Sequence, residues 1–261
     1  MPKRLLARLV PHLGRTGRAT RWRRTRGRPR VWAHRGASAL APENTLRAFD
    51  LARAAGADGI ELDVRLDADG TVVVFHDAML DRLTGQPGRM EAQSATARAA
   101  LRVGGEPVPT LAEVLHGFDR EVNVEIKVDR PGAGGRLAEA VARVIQDAGR
   151  ADEVLVSSFD PIALLQIHRH LPDTALAFIF GDEQALPIRT GWVGRIIGAS
   201  LIHPQHTLCT EASVAAWHRA GHPVNVWTVD DAAELRRLAA LGVDGVFAND
   251  PAHALAVFAA S

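Results

Sequence analysis

From residue 31 onward, short apolar runs alternate with segments of helical periodicity. Eight of these runs have the length and composition of buried β-strands: 31–34, 59–64, 122–128, 154–158, 175–180, 197–202, 224–229 and 245–248. Helical periodicity lies between most of them, at 44–55, 135–148, 161–170, 211–220 and 231–241. Strands that alternate with helices are typical of parallel sheets, and eight such units predict an α/β protein with a (β/α)8 TIM barrel. The alternative is an open doubly wound sheet, but no G-x-G-x-x-G follows the first strand.

A further apolar run, 71–76, follows the second strand after only four residues, 67–70. Four residues are too few for a crossover between parallel strands, so we expect an antiparallel hairpin. If Leu66 pairs with Thr71, Glu61 lies opposite His76, although a one-residue bulge would change this pairing. Residues 78–109 then show no strong periodicity. They predict a small insertion over one face of the barrel, after the hairpin in the second unit.

Charge divides the chain into two parts. Residues 1–30 contain eleven lysines and arginines and no acid, whereas residues 31–261 contain 20 basic against 30 acidic residues. We expect 1–30 to be a disordered basic arm, because like charges at this density repel and form no core. Contacts with anionic lipid or with nucleic acid are the alternatives for this arm. We expect 31–261 to be one folded domain, and its acidity argues against nucleic-acid binding.

The composition narrows the class of protein. The 261 residues are 47% hydrophobic and 23% charged, as in ordinary soluble globular proteins. The single cysteine, Cys209, excludes a disulfide framework and a cysteine-based zinc site. The sequence contains no run of 18 apolar residues and so predicts no transmembrane helix. Charged residues interrupt the first apolar segment too early for a secretory signal. We therefore expect a cytoplasmic protein, either free or held weakly at an anionic membrane surface by its basic arm.

Polar side chains lie within or at the ends of the apolar runs. Seven of them carry a charge or can acquire one: His34, Arg35, Glu61, Asp63, His76, Glu125 and Lys127. Residues two apart in a strand face the same side, and catalytic groups of a barrel collect at the C-terminal ends of its strands. Burying such groups costs on the order of 2 kcal/mol or more each, unless structural ion pairs offset it. Lys127 is one of only two lysines, against 29 arginines, which suits a compact point charge in a buried site.

These residue types indicate a chemistry. The three carboxylates provide oxygen ligands that suit Ca²⁺ or Mg²⁺ better than zinc. Arg35 and Lys127 supply positive charge for a bound anion. His34 and His76 titrate near neutrality, as a general base and a general acid must. This combination predicts a metal-dependent enzyme that transfers a phosphoryl group from a phosphate ester.

Five short motifs occur in a fixed order: His34-Arg-Gly36, Pro42-Glu-Asn-Thr45, Glu61-Leu-Asp63, His76-Asp77 and Asn123-Val-Glu-Ile-Lys127. With Val226-Trp-Thr-Val229 and Gly242-Val-Asp-Gly245, they resemble the glycerophosphodiester phosphodiesterase family over roughly residues 31–256. The resemblance implies a TIM barrel with a small insertion after the His-Asp strand. It also implies hydrolysis of a small molecule, a glycerophosphodiester, to sn-glycerol 3-phosphate and an alcohol.

The resemblance further implies a role for each matching residue. The acid–base pair would be His34 and His76, and the ligands of one divalent ion would be Glu61, Asp63 and Glu125. The substrate contacts would be Arg35, Lys127 and Trp227, with Glu43 and Asn44 as supporting residues. The chain departs from the family at Asp230, where relatives often have asparagine, and this changes a polar contact at the rim of the site.

Several of these roles have alternatives. His34 and His76 can exchange the roles of base and acid, because the sequence fixes positions and not protonation states. Asn44 can be the N-cap of the first helix. Trp227 can be a core aromatic.

Two other histidines and two other functions also have to be considered. His203 and His206 follow the sixth strand and can approach the pocket from above. A phospholipase D-like enzyme that acts on lysophospholipids would use the same barrel and histidines. A non-catalytic barrel that binds phosphate esters would share the fold of these enzymes but not their activity.

Overall fold

Eight parallel strands form a barrel at the centre of the molecule. The computed structural model describes residues 21–24, 27–130 and 133–260. The barrel strands are β1 (Arg30–His34), β2 (Gly59–Leu66), β3 (Glu121–Ile126), β4 (Val154–Ser158), β5 (Ala175–Phe180), β6 (Leu201–Pro204), β7 (Asn225–Val226) and β8 (Gly245–Ala248). Strand β1 pairs with both β2 and β8, so the first and last strands are neighbours. The gap between β6 and β7 is bridged at Ile202–Val224 and Gln205–Trp227. The predicted TIM barrel is confirmed as a near-closed barrel.

Helices lie between consecutive barrel strands. They are Leu46–Ala54, Leu111–Gly117, Gly135–Asp147, Pro161–His170, Leu186–Arg189, Trp192–Ile196, Glu211–Arg219, Ala232–Ala240 and, after β8, Pro251–Ala259. Side chains of Thr45, Thr110 and Asp231 each accept a hydrogen bond from the backbone N–H three residues on, which starts the helix that follows. Among the described residues, none of the helices has both the length and the apolar character needed to cross a bilayer.

Residues of each strand alternate between the barrel interior and the surrounding helices. In β1, Val31 and Ala33 pack in the main core between strands and helices, whereas Trp32 points inside. Its ring centroid lies 5.8 Å from that of Trp22 and 6.2 Å from that of Phe247. This aromatic stack fills the end of the barrel at which the strands begin. The polar inward-facing residues are therefore left for the opposite end, where the strands finish.

The residues before β1 pack against the start of the barrel. Trp22 is only 2% exposed, and Arg28 pairs with Asp58 at 2.6 Å. The prediction of a disordered arm that ends at residue 30 is therefore wrong for 21–24 and 27–30. Aromatic stacking and ion pairs with acids at the strand starts offset the repulsion among the arginines. The rest of the predicted arm lies outside the described residues.

The predicted antiparallel hairpin is present, but its register differs by one residue. The returning strand, Val72–Val74, pairs with β2 so that Val72 lies opposite Leu66. The predicted pairing of Leu66 with Thr71 is wrong, and so is the expected placement of Glu61 opposite His76.

The side chain of Asp67 causes this shift. The backbone N–H of Asp67 donates to the carbonyl oxygen of Thr71 at 3.0 Å. The carboxylate of Asp67 accepts from the backbone N–H groups of Thr71 and Asp69 at 2.8 and 3.1 Å. Gly70 closes the turn with a φ of 83°, a conformation that glycine adopts without strain. The loop is therefore three residues long, with Asp67 and Thr71 as the first pair, rather than four.

Residues 78–109 form several very short elements outside the barrel. These are the helices Asp81–Thr84 and Ala95–Ala100, the 3₁₀ turn Met90–Ala92, and the antiparallel pair Arg102–Val103 and Glu106–Pro107. Each is too short to produce a visible hydrophobic period. They share a small core with the hairpin, formed by Val73, Phe75, Leu80, Met90, Leu101, Val103 and Val108.

The sixth predicted strand, 197–202, begins too early, because β6 covers Leu201–Pro204. The helix Trp192–Ile196 occupies the preceding residues, and Gly198, with a φ of 71°, turns the chain away from it.

Gly59 leaves room for the aromatic stack, which gives a test of the packing. A Cβ at Gly59 would lie 2.6 Å from both the carbonyl of Glu121 and the ring of Trp32. We expect Gly59→Ala to lower the free energy of unfolding by about 1–3 kcal/mol, as overpacked cores do. A Cβ at Gly117, in the last turn of a helix, meets nothing within 4 Å. The control Gly117→Ala should leave stability unchanged or raise it by up to about 1 kcal/mol. Urea unfolding measures both, and equal midpoints for the two variants would contradict this packing.

Candidate active site

A cavity of about 210 Å³ opens where the barrel strands end. It is lined by His34, Arg35, Glu61, His76, Asn123, Glu125, Lys127, Phe159, Ile179, His203, Trp227, Thr228 and Phe247. Most of the polar members lie in β1, β2 and β3 or directly after these strands, and His76 lies two residues after the returning strand of the hairpin. The aromatic members come from the opposite wall. Chemistry and apolar surface therefore face each other across a small pocket.

The turn after β1 is strained in a way that serves the site. Arg35 and Asn44 have φ values of 57° and 59°, and they are the only described residues other than glycine in the left-handed region. Such strain collects at functional sites. It lets the backbone N–H of Arg35 donate to Glu61 Oε2 at 2.9 Å. A Cβ on Gly36 would lie 2.7 Å from Ala48, so only glycine fits at the next position.

Three carboxylates meet at the floor of the pocket. One ligand oxygen from each of Glu61, Asp63 and Glu125 lies within 4.8 Å of the other two, and all three residues are buried. The inward alternation of β2 and β3 brings them together, because Asp63 pairs directly with Glu125 across the sheet. Glu61 Oε1 is buried without a hydrogen-bond partner. An all-oxygen set with a free buried oxygen fits a divalent ion such as Ca²⁺ or Mg²⁺.

Asn44 orients the central carboxylate rather than capping the first helix. Its Nδ2 donates to Asp63 Oδ2 at 2.8 Å, and its Oδ1 accepts from the Asp63 backbone N–H at 3.2 Å. Thr45 is the N-cap instead, with its hydroxyl accepting from the N–H of Ala48. The alternative interpretation of Asn44 as the N-cap is therefore wrong, since the left-handed turn already points its side chain into the site.

Two cations compensate the carboxylates. Lys127 Nζ lies 2.5 Å from Glu125 Oε1 and 3.0 Å from Asp63 Oδ1, and Arg35 Nε lies 3.2 Å from Asp63 Oδ2. Burial alone would raise the pKa of Asp63, but Lys127 and Arg35 outweigh it and hold the pKa below its usual range. Burial, together with the charges of Asp63 and Glu125, raises the pKa of Glu61 well above normal. Three carboxylates against two cations thus leave negative charge uncompensated at Glu61.

The two histidines have different partners. His34 Nδ1 lies 2.8 Å from the amide oxygen of Asn249, and His34 Nε2 lies 4.0 Å from Glu61 Oε2. His76 Nδ1 lies 2.6 Å from the carboxylate of Asp77. Burial lowers the pKa of His34 to about 4 and lowers that of His76 as well. In both histidines, Nδ1 therefore contacts a neighbouring side chain, which leaves Nε2 for other contacts.

A chain of charges links the two sides of the pocket. Arg82, from the first helix of the 78–109 segment, donates to Asp77 at 2.5 Å and to Glu43 at 2.9 Å. Glu43 in turn accepts from Arg35 at 2.8 Å. Glu43 thus contacts Arg35 directly, whereas its connection to His76 runs through Arg82 and Asp77.

The aromatic wall is built on Trp227. Its Nε1 donates to the carbonyl of His203 at 2.8 Å, and the ring of Phe159 meets it edge-on at 5.5 Å. The side chain is half-buried and lines the cavity, so Trp227 is not simply a core aromatic. His203 also lines the cavity and is buried against Phe247 at 4.9 Å. His206 instead pairs with Glu234 at 3.0 Å and is not among the lining residues.

Asn249 and Arg82 contact residues of the site and are not among those predicted from the sequence, and neither are the lining residues Asn123, Phe159, Ile179, Thr228 and Phe247. Asn249 directly follows the apolar strand β8, and His34 is the polar last residue of β1, so the same signal of a polar residue where an apolar strand ends could have identified Asn249. Arg82 lies in a four-residue helix with no recognisable period, and no local signal reveals its partners.

The comparisons with known proteins agree with this geometry. The family model for the glycerophosphoryl diester phosphodiesterase family matches residues 34–253. The chain belongs to this family. The match confirms the family expected from the motifs, and it supports the prediction that the chain is an enzyme, a glycerophosphodiester phosphodiesterase.

Individual members of the family are similar over nearly their whole length. A glycerophosphodiester phosphodiesterase of Caldanaerobacter subterraneus is 32% identical over 235 residues, which cover 85% of this chain and 94% of the relative. One of Bacillus altitudinis is 31% identical, covering 87% of this chain and 97% of its own. Among solved structures, an Oleispira antarctica phosphodiesterase in complex with the product sn-glycerol-3-phosphate has a TM-score of 0.79 at 27% identity, over 88% of this chain and 96% of that one.

His203 gives a test of the electrostatics of the pocket. Burial lowers its pKa to about 3, from an ordinary value of 6.5. Between these pH values the unfolded chain binds a proton that the folded chain does not, so the stability contributed by a neutral His203 falls as pH falls below 6.5. Going from pH 7 to about pH 5.5, the parent should lose about 1 kcal/mol more unfolding free energy than His203→Gln does.

Urea unfolding at the two pH values measures this difference. The exposed His116, changed to glutamine, is the control, and it should follow the parent at both pH values. A His203→Gln variant with the same pH dependence as the parent would contradict the burial of a neutral ring.

Proposed function

We propose that this chain hydrolyses glycerophosphodiesters to sn-glycerol 3-phosphate and an alcohol, with one divalent ion and a pair of histidines. One observation carries the proposal: three buried carboxylates lie within 4.8 Å of one another, and two of them, Glu61 and Glu125, line a pocket together with two histidines and two cations. The family supports the reaction type, and the bound product of the Oleispira antarctica structure supports the class of substrate. The cytoplasmic location and the contact of the basic arm with a membrane stay predictions.

Glu61, Asp63 and Glu125 would hold the divalent ion. When bound, a Ca²⁺ or Mg²⁺ ion would polarise a phosphoryl oxygen and offset the negative charge of the diester. Lys127 and Arg35 add positive charge beside the same carboxylates, which suits a monoanionic phosphodiester. The pocket of about 210 Å³, walled by Trp227, has room for a glycerol phosphate group.

The histidine partners support one assignment of acid and base. A carboxylate partner such as Asp77 favours a positively charged imidazole more strongly than an amide oxygen does, so His76 is the better proton donor. His34, with the amide oxygen of Asn249, is the better proton acceptor. In hydrolysis, His34 takes a proton from the attacking hydroxyl, either water or the glycerol hydroxyl of the substrate. As the bond from phosphorus to the alcohol oxygen breaks, His76 delivers a proton to that oxygen. Attack by water gives sn-glycerol 3-phosphate directly, whereas attack by the glycerol hydroxyl gives a cyclic phosphate, which a water molecule must then open.

Removal of the metal tests the carboxylate site. Protein treated with EDTA should lose turnover of glycerophosphodiesters, and Mg²⁺ or Ca²⁺ should restore it. Added metal should also raise the Tm, because an ion that binds only the folded chain stabilises it. Asp63→Asn should abolish this rise in Tm, whereas Asp119→Asn, whose side chain is 74% exposed just before the start of β3, should keep it. Full turnover after EDTA treatment would refute the metal site.

Replacement of each histidine tests the acid–base pair. His34→Ala and His76→Ala should each lower kcat for a natural glycerophosphodiester by roughly 10²–10⁴-fold. With a p-nitrophenyl diester, whose leaving group departs without a proton, the loss in His76→Ala should shrink, while that in His34→Ala should persist. Steady-state kinetics with both substrates measure the two losses. Should both variants stay within about threefold of the parent on the natural diester, general acid–base catalysis by this pair is excluded.

A panel of substrates separates this function from its alternatives. We expect turnover of glycerophosphodiesters with small polar alcohols, measured as released sn-glycerol 3-phosphate. Faster turnover of a lysophospholipid would favour the phospholipase D-like reaction. Binding without turnover of any diester would favour a non-catalytic barrel.

A further inference from the structure

We infer that Asp230 and Asn249 hold His34 in a single tautomer, with the hydrogen on Nδ1 and the lone pair on Nε2. Both are positioning residues, since they act on the reaction only through His34. The inference deepens the function proposed above and rests on it for the role of His34 as the base.

The barrel itself places Asn249 beside His34. Strands β1 and β8 are neighbours, with Ala33 paired to Ala248, so the residues that follow this pair lie side by side. The Oδ1 of Asn249 lies 2.8 Å from Nδ1 of His34. The hydroxyl of Ser38 lies 3.0 Å from the same Oδ1 and 2.8 Å from the carbonyl of His34.

Asp230 determines which end of the Asn249 amide faces the ring. Its Oδ2 accepts from Asn249 Nδ2 at 2.6 Å, and its Oδ1 accepts from the backbone N–H groups of Asn249 and Asp250 at 2.7 and 3.3 Å. A carboxylate only accepts hydrogen bonds, so the NH₂ group of Asn249 must point toward Asp230. The amide oxygen is then fixed toward His34.

The orientation of Asn249 in turn decides the tautomer of His34. An amide oxygen only accepts, so His34 Nδ1 must carry the hydrogen that bridges the 2.8 Å contact. Nε2 of the neutral ring then has a lone pair. Its nearest carboxylate oxygen, Glu61 Oε2, is 4.0 Å away, too far for a hydrogen bond that would favour the other tautomer.

This tautomer is the one that a base at this position requires. Nε2 is on the side of the ring that faces the carboxylate floor of the pocket, so a proton from the attacking hydroxyl can be accepted only there. Without the two partners, neutral imidazole would exchange between both tautomers, and one of them would present N–H where a lone pair is needed. Loss of a partner that fixes a histidine tautomer can leave geometry intact and still lower kcat strongly.

Nitrogen NMR of the full-length protein tests the tautomer directly. Long-range ¹H–¹⁵N correlation of ¹⁵N-labelled protein distinguishes a protonated Nδ1 from a protonated Nε2, and His34 is assigned by the signal that His34→Gln removes. At about pH 8 the parent should show Nδ1–H and an unprotonated Nε2. In Asp230→Asn, the new amide can donate as well as accept, so Asn249 can turn over and the Nε2–H tautomer should appear.

Exchanging the two residues provides the rescue. In Asp230→Asn combined with Asn249→Asp, the carboxylate at 249 accepts from His34 Nδ1 and from the new amide at 230. That amide still offers its oxygen to the two backbone N–H groups. Asp230→Asn alone should lower kcat by roughly tenfold or more with little change in KM, and the exchange should recover most of the loss.

Asp231→Asn is the matched control, because Asp231 is the next residue and only caps a helix. It should change neither the tautomer nor kcat, since asparagine caps as well as aspartate. An Nε2–H tautomer in the parent would overturn the inference, as would an Asp230→Asn variant that keeps the parent's tautomer and kcat. If the tautomer is as expected but no diester is hydrolysed, the proposed function fails and the positioning of His34 stands.

Discussion

The rest of the structure depends on how three buried carboxylates at the mouth of the barrel are compensated. An unpaired buried carboxylate costs several kcal/mol, so a site with three of them is stable only with opposite charge close by. Lys127 and Arg35 supply two positive charges within 3.2 Å of Asp63 or Glu125. Glu61 keeps a buried oxygen without a partner. The proposed divalent ion would complete this balance, so the residues that we propose for the chemistry are also those whose charge the fold has to compensate.

The barrel tolerates this concentration of charge by separating its two ends. Trp22 and Trp32 stack where the strands begin, and Phe247 packs on Trp32 between this stack and the pocket. Strand alternation then directs the polar inward-facing side chains of the site to the other end. The same neighbour relations that close the barrel bring Asn249 beside His34 and Glu125 beside Asp63. His34 therefore receives its partner from the end of the neighbouring strand, whereas the partner of His76 is the next residue, Asp77.

Much of the fold and of the candidate site could be predicted because period-two alternation and strand ends are local signals. Those signals alone place Glu61 and Asp63 on one face of their strand and add Glu125 from the next parallel strand. The hairpin register could not be predicted in this way, because it depends on the carboxylate of Asp67 closing its own turn. Nor could the partners of Arg82 be predicted, since they come together only after the 78–109 segment has folded over the hairpin.

Binding of a divalent ion to this carboxylate site is measured most directly by calorimetric titration of Mg²⁺ or Ca²⁺ into full-length protein freed of metal with EDTA. We expect one ion to bind per chain, and we expect Glu61→Gln to abolish or greatly weaken that binding while the variant remains folded. Absence of binding by the parent, or binding that Glu61→Gln leaves unchanged, would contradict a metal site built from Glu61, Asp63 and Glu125.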